Sequence, residues 1–188
     1  MNAMQVAQRM TADEYLALDS DWPRTWLVDG EVVVNQPTLK HQVLHGRLFR
    51  AIDGWVGAGD GRGLVVSPLD VKLDDHNVYA PDLLWYGASR VPAIAAKAPY
   101  PVPDLAIEIR SPSTWRYDIG TKKSVYEREG LHELWLVDGD ASVLLVFRRS
   151  TPKSATFDVA LEVDRTQTLT SPLLPGLTLD AGALFDLG

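Results

Sequence analysis

Apolar and polar positions recur along this chain in short blocks, and each block predicts one element. Thr11-Ala12-Asp13-Glu14 has the residues of a capping box: the threonine hydroxyl takes one free amide and the glutamate reaches back to another. It predicts a short helix ending near Asp19. Trp26-Leu27-Val28 and Val32-Val33-Val34, joined by Asp29-Gly30, predict a hairpin, because Asp-Gly tolerates the positive φ angles of a tight turn. Pro37 and Thr38 open a helix running to about Val56, with Leu44, Leu48 and Ile52 on one face at i, i+4 and i+8.

Further along, residues 64–73, 78–86 and 105–110 read as strands. The proline- and alanine-rich stretch 91–103 reads as a loop. A second helix is expected over 118–129, stopped by Gly130 in a left-handed cap. Residues 133–137 and 142–147 predict a hairpin across Asp138-Gly139-Asp140, followed by a strand over 157–163, a turn at Pro175-Gly176 and a last short helix over 181–185. Helices interspersed with strands in this order predict an α/β (α+β) fold with a central mixed sheet flanked by helices.

Composition narrows the picture without changing it. The 188 residues suit one domain, 1–188, and no internal repeat or low-complexity tract divides them. There is no cysteine, which removes disulfides, thiolate nucleophiles and Cys-ligated metal. The apolar runs are strand-sized, far short of a membrane span. Met1-Asn2-Ala3-Met4 lacks the basic start and apolar run of a signal peptide. The expectation is a cytoplasmic protein with no membrane partner. A net charge of −7 argues against a generic nucleic-acid coat, while leaving room for a local basic cleft.

The candidate chemistry lies around Ala80-Pro81-Asp82 and Pro103-Asp104-Leu105-Ala106-Ile107-Glu108-Ile109-Arg110. Side chains alternate along a strand, so Leu105, Ile107 and Ile109 share one face and Asp104, Ala106, Glu108 and Arg110 the other. Glu108 projects mid-strand beside small Ala106, where a carboxylate is costly unless compensated. Pro81 cannot donate to a ladder and puts Asp82 at a strand irregularity. Two carboxylates on neighbouring strands, with a backbone carbonyl and waters, can hold one hard divalent cation. Each residue also has a purely structural reading: Glu108 as a buried partner of Arg110 or another cation, Asp82 as a turn residue.

Asp118, Lys122 and Tyr126 follow at four-residue steps and stack on one helix face. Lys122 either reaches Glu108 or belongs to a solvated face. His41 and His45 have i, i+4 zinc-helix spacing without the glutamate of the metalloprotease motif. His45 fits a core edge and His41 a cleft. Ser111 and Ser113 lack the neighbours of a hydrolase triad, and 57–61 lacks the Lys-Ser/Thr of a phosphate loop. The six tryptophans, Trp115 and Trp135 among them, are expected in or beside the core.

The ordered set Pro81-Asp82, Glu108-Ile109-Arg110-Ser111-Pro112-Ser113-Thr114, Asp118, Lys122, Tyr126, Gly130 and Trp135-Leu136-Val137-Asp138 resembles the Uma2 family, restriction-endonuclease-like proteins within the PD-(D/E)XK nuclease superfamily. The resemblance runs from Thr11 to Leu179. It implies a restriction-endonuclease-like core with extra β-hairpins, often as a homodimer. It makes Asp82 and Glu108 metal carboxylates, joined by the Ile109 backbone carbonyl, for one or two Mg2+ or Mn2+ ions. The superfamily lysine two residues after the glutamate is replaced by Arg110, and its role passes to Lys122. A third acidic group commonly comes from the first helix or hairpin. The family often has a tyrosine–glutamate pair where this chain has Thr25-Trp26, which leaves Glu31, Asp70 or His41 as substitutes. Arg110, Asp118 and Tyr126 are further auxiliary candidates.

Two functions from different classes follow. One is a metal-dependent endonuclease hydrolysing DNA phosphodiester bonds. The other is a decayed nuclease-fold module that binds nucleic acid or a partner protein. A carboxylate-pair glycosidase would need a sugar-sized groove between the acids, and nothing in the sequence suggests one.

Overall fold

The computed structural model describes residues 9–18, 25–34, 36–112 and 114–187. The expected end of the first helix at Asp19, Ser113 and the N-terminal residues Met1 to Met4 lie outside them. The capping box forms as read and starts α1 (Ala12–Leu16), with both reciprocal bonds between Thr11 and Glu14. β1 (Thr25–Val28) and β2 (Glu31–Val34) make the first hairpin, with Asp29 and Gly30 at φ 49° and 76°. Thr38 caps α2 (Leu39–Gly57), accepting from the His41 amide.

Two of the expected long strands are each broken and shared between sheets. The 64–73 block is β3 (Leu64–Val66) and β4 (Val71–Asp74), and the 78–86 block is β5 (Asn77–Tyr79) and β6 (Leu83–Tyr86). Each break carries a proline, Pro68 or Pro81, which cannot extend a ladder. A short 3-10 turn, Ala88–Arg90, precedes the proline-rich loop, and β7 is Leu105–Ile109.

The second helix starts three residues earlier than expected. It is composite: α3 (Trp115–Tyr117), a π-helical turn (Asp118–Lys122) and α4 (Lys123–Arg128). Gly130 then has φ 85°. β8 (Glu133–Asp138) and β9 (Val143–Arg148) form the second hairpin. β10 (Val159–Asp164) starts two residues later than read. β11 (Thr168–Thr170) and β12 (Thr178–Asp180) are a small ribbon that periodicity did not reveal, because three residues hold too few alternations. Asp180 caps α5 (Ala181–Phe185).

The central six-stranded sheet has the order β10-β9-β8-β7-β6-β3 and is mixed: β7 and β8 are parallel, and the other pairs antiparallel. A four-stranded antiparallel sheet, β2-β1-β5-β4, lies alongside. Alternation along β7 assigns its faces. Leu105, Ile107 and Ile109 join Leu44, Leu48 and Ile52 of α2 in one core, with Leu184 and Phe185 of α5. Ala106 faces a second core containing Trp26, Tyr79, Val125 and Tyr126. That second core, between the two sheets and the composite helix, is where Glu108 points. Among the described residues no helix is long and apolar enough to cross a membrane.

Candidate active site

Three elements bring charge into this second core. β7 is buried along its whole length, so Glu108 stands 1% exposed at its fourth position. The composite helix packs across it. The Lys122 ammonium, itself 0% exposed, donates to Glu108 Oε1 at 3.2 Å and contacts Asp118 Oδ1 at 2.8 Å. The Tyr126 hydroxyl donates to the same Glu108 oxygen at 2.8 Å. The other oxygen of Asp118 accepts from Thr114 Oγ1 at 3.2 Å, and Thr114 pairs with the Ser111 hydroxyl at 2.7 Å. A hydrogen-bonded and ionic chain thus runs Ser111–Thr114–Asp118–Lys122–Glu108–Tyr126.

Asp82 enters from the break between β5 and β6. Its Oδ2 accepts from the Ile109 amide at 2.8 Å and from His41 Nε2 at 3.1 Å. With an ionised carboxylate, Nε2 is the donor. Oδ1 of Asp82 and Nδ1 of His41 are buried without a hydrogen-bond partner among the described residues. His45, one helical turn on, places Nε2 3.1 Å from the Asp82 carbonyl oxygen, so both histidines of α2 serve the Asp82 bend.

The four-stranded sheet closes the cluster. Trp26 lays its ring 3.7 Å from Lys122 Nζ and fixes its own indole N–H on the Ala80 carbonyl at 3.1 Å. The Tyr79 ring is 5.6 Å from the same ammonium. Aromatic faces attract a desolvated cation. Trp26 thus contacts the lysine through its ring.

Burial governs the electrostatics. It pushes Glu108 up to about 8, against the pull of Lys122 and with the repulsion of Asp118 and Asp82. It also raises Asp118, again against Lys122. For Lys122 burial works against the charge, but Asp118 and Glu108 outweigh it and hold the ammonium at about 12. A raised acid and a raised base in contact are compatible because one ammonium serves more than one carboxylate. The charged form of Lys122 is favoured by both carboxylates, while burial favours the protonated forms of Glu108 and Asp118. Burial likewise drives the Tyr126 hydroxyl well above its ordinary value, so it remains a donor.

The structure therefore brings Glu108, Lys122, Tyr126 and Asp118 into direct contact, with Asp82 electrostatically felt by Glu108, Asp118 and Lys122. Glu31 and Asp70 do not join them. Glu31 is exposed on edge strand β2, and Asp70 is a partly buried loop residue before β4. No hydrogen bond or ion pair among the described residues links either to the cluster. Asp118 is the further carboxylate in contact with Lys122. Arg110 turns away after the end of β7 and pairs with Asp138 at 2.7 Å. Sequence reasoning missed Thr114 and Ser111 as supports of Asp118, although their i, i+3 and i, i+4 spacing was readable. It also missed the contact of Trp26 with Lys122, which only the second sheet creates.

Hard carboxylate and carbonyl oxygens suit Mg2+ or Mn2+ rather than a soft metal. The unpartnered Asp82 Oδ1 is a hard oxygen of the kind such an ion takes. Among the described residues no three His, Asp or Glu side chains are already drawn together in metal-holding geometry.

Residues 12–182 match the model of the family described as "Uma2: Putative restriction endonuclease". No curated protein matches the chain. The fold is similar to the crystal structure of "a putative nuclease belonging to DUF820 from Anabaena variabilis ATCC 29413", with a TM-score of 0.78 at 22% identity, covering 94% of this chain and 97% of that one. With the family model matching nearly the whole chain, this protein belongs to the Uma2 family.

Proposed function

We propose that the protein is a metal-dependent endonuclease that hydrolyses DNA phosphodiester bonds, with Asp82 and Glu108 as metal carboxylates and Lys122 as the catalytic cation. The observation that carries this reading is the buried meeting of Glu108 with Lys122 beside an Asp82 whose second oxygen has no hydrogen-bond partner. A fold does not by itself spend two buried carboxylates on one buried lysine: such a cluster is costly and typical of sites with tuned ionisation.

A Mg2+ or Mn2+ held by Asp82, Glu108 and the Ile109 carbonyl would lower the pKa of bound water and offset charge developing on the phosphate. The chain's own groups do the positioning. His41 and the Ile109 amide fix Asp82 Oδ2, which leaves Oδ1 as the free ligand atom. Tyr126 fixes Glu108. Asp118 and the Trp26 ring hold the Lys122 ammonium where it can steady the extra negative charge of a pentacoordinate phosphorus. Arg110, a permanently charged fork engaged by Asp138, does not take that role.

A second reading has its own observation. The Trp26 ring covers the Lys122 ammonium, and Lys122 and Tyr126 already satisfy one Glu108 oxygen, as expected of a nuclease-fold module that binds nucleic acid without cutting it. Incubation with supercoiled plasmid separates the two. With Mn2+ the wild type should nick the plasmid, EDTA should stop it, and Glu108→Ala should lower the rate by at least about 100-fold, on the scale of losing one transition-state-stabilising group. No nicking, or equal nicking by the variant, sinks the hydrolytic reading.

A further inference from the structure

Outside the carboxylate cluster, one cleft combines surface cations with a buried group left unpartnered. Its volume is about 330 Å3, and it lies between the start of α2 and the β8–β9 turn. Lys40, His41, Arg110 and Asp140 line it. The turn packs closely on α2: a Cβ on residue 139 would stand 2.7 Å from Leu44 Cδ1 and 3.2 Å from Lys40 Cδ.

Both cations converge on one carboxylate. Lys40 Nζ is 2.7 Å from Asp140 Oδ1, and Arg110 Nε is 3.5 Å from Asp140 Oδ2. Asp138 also holds Arg110. The side chains of Lys40 and Asp140 are 45% and 58% exposed, so their pair is weakly held and easily exchanged. His41 is the opposite case. It is 1% exposed, it commits Nε2 to Asp82, and its Nδ1 has no hydrogen-bond partner. The first amides of a helix also lack intrahelical partners, and in α2 the Thr38 hydroxyl takes only that of His41.

We propose that this cleft is a subsite for a nucleic-acid backbone phosphate, a neighbour of the one hydrolysed, and that Asp140 holds Lys40 and Arg110 in the phosphate's absence. The proposal rests on the phosphodiesterase reading and adds register to it. His41 joins the cleft to Asp82, so a phosphate seated on Lys40 and Arg110 fixes which phosphate along the strand reaches the carboxylates. A phosphodiester offers two free oxygens and one negative charge, which suits an ammonium and a guanidinium fork. A water that donates one hydrogen to His41 Nδ1 and the other to a phosphate oxygen satisfies the unpartnered nitrogen. In a chain of net charge −7, cations released from an acidic partner give a polyanion a local attraction.

Binding of a short fluorescein-labelled DNA duplex to the full chain, followed by anisotropy in EDTA, tests this without hydrolysis. Lys40→Ala should weaken binding about 3–10-fold and reduce the salt slope by about one. Asp140→Asn should tighten binding about 3-fold or more, because it removes the competing carboxylate. Glu162→Gln on β10, an exposed residue, controls for the change in net charge and should tighten it far less. Equal effects of Asp140→Asn and Glu162→Gln, wild-type affinity in Lys40→Ala, or no saturable binding by the wild type would each overturn the subsite. Metal-dependent nicking with these variants binding as wild type removes the subsite and leaves hydrolysis standing. Binding that follows both variants, without nicking, keeps the phosphate subsite and removes hydrolysis.

Discussion

Lys122 is the side chain on which the cluster's charge balance depends. It is fully buried, and its ammonium faces Glu108 and Asp118 at 3.2 and 2.8 Å. Lys122→Met keeps most of the volume and leaves two buried carboxylates without their cation, a change that should cost about 3–5 kcal/mol near neutral pH. The cost depends on pH in a set direction. Glu108 is raised from 4.5 to about 8, first by burial. Through that window the native protein keeps a proton that the unfolded chain has released. Its contribution to stability is therefore complete below about 4.5 and lost as pH rises through about 8. Removing Lys122 removes the main influence holding Glu108 and Asp118 down, so the variant should feel the window more steeply. Urea unfolding should show the deficit of Lys122→Met largest near pH 8 and much smaller near pH 5, where a protonated carboxyl needs no cation. A deficit independent of pH would mean that the lysine acts by packing alone.

At the scale of elements, the π-helical turn sets the site's geometry. Asp118 and Lys122 are its first and last residues, and such wide turns recur at functional sites. Gly120 lies inside it without a positive φ, and a Cβ there would meet nothing within 4 Å. Gly120→Ala should therefore raise stability by about 0.4–1 kcal/mol, by restricting the unfolded chain. A lower melting temperature would show that the turn needs glycine for reasons other than space. The spacing of Asp118, Lys122 and Tyr126 was legible in the sequence, because successive four-residue steps keep side chains on one face. So was the inward face of β7, from the alternation of Leu105, Ile107 and Ile109 with Ala106 and Glu108. The π turn itself left no periodic signal. Nor did the division of 64–73 and 78–86 between two sheets. There Pro68 and Pro81 mark a break, but hydrophobic periodicity cannot say to which sheet each half goes. Asp118, one helical turn before the lysine, was among the auxiliary candidates, whereas nothing in the spacing showed that Glu31 and Asp70 would lie apart from the cluster.

On the scale of the whole molecule, the cluster lies where the two sheets meet. β7 brings Glu108, the composite helix brings Asp118 and Lys122, the β5–β6 bend brings Asp82, α2 brings His41, and β1 brings Trp26 over the ammonium. These segments are far apart in sequence, which is why the contact of Trp26 with Lys122 had no signature in the chain. A ligand bound at their meeting point requires all of them in place, so it should stabilise the fold as one unit. An ion that binds only the native state adds about 2.7 kcal/mol at a concentration 100 times its dissociation constant. For a domain of this size that corresponds to a rise of several degrees in melting temperature. Mn2+ or Mg2+ should produce this rise in the wild type, EDTA should reverse it, and Asp82→Ala should abolish it. The loss should be specific to the ion. Asp82→Ala also frees the Ile109 amide and His41 Nε2, so its metal-free protein should already melt lower, and the diagnostic quantity is the ion-induced increment. An equal increment in wild type and variant would place the ion elsewhere and leave Asp82 as the clamp of the β5–β6 bend.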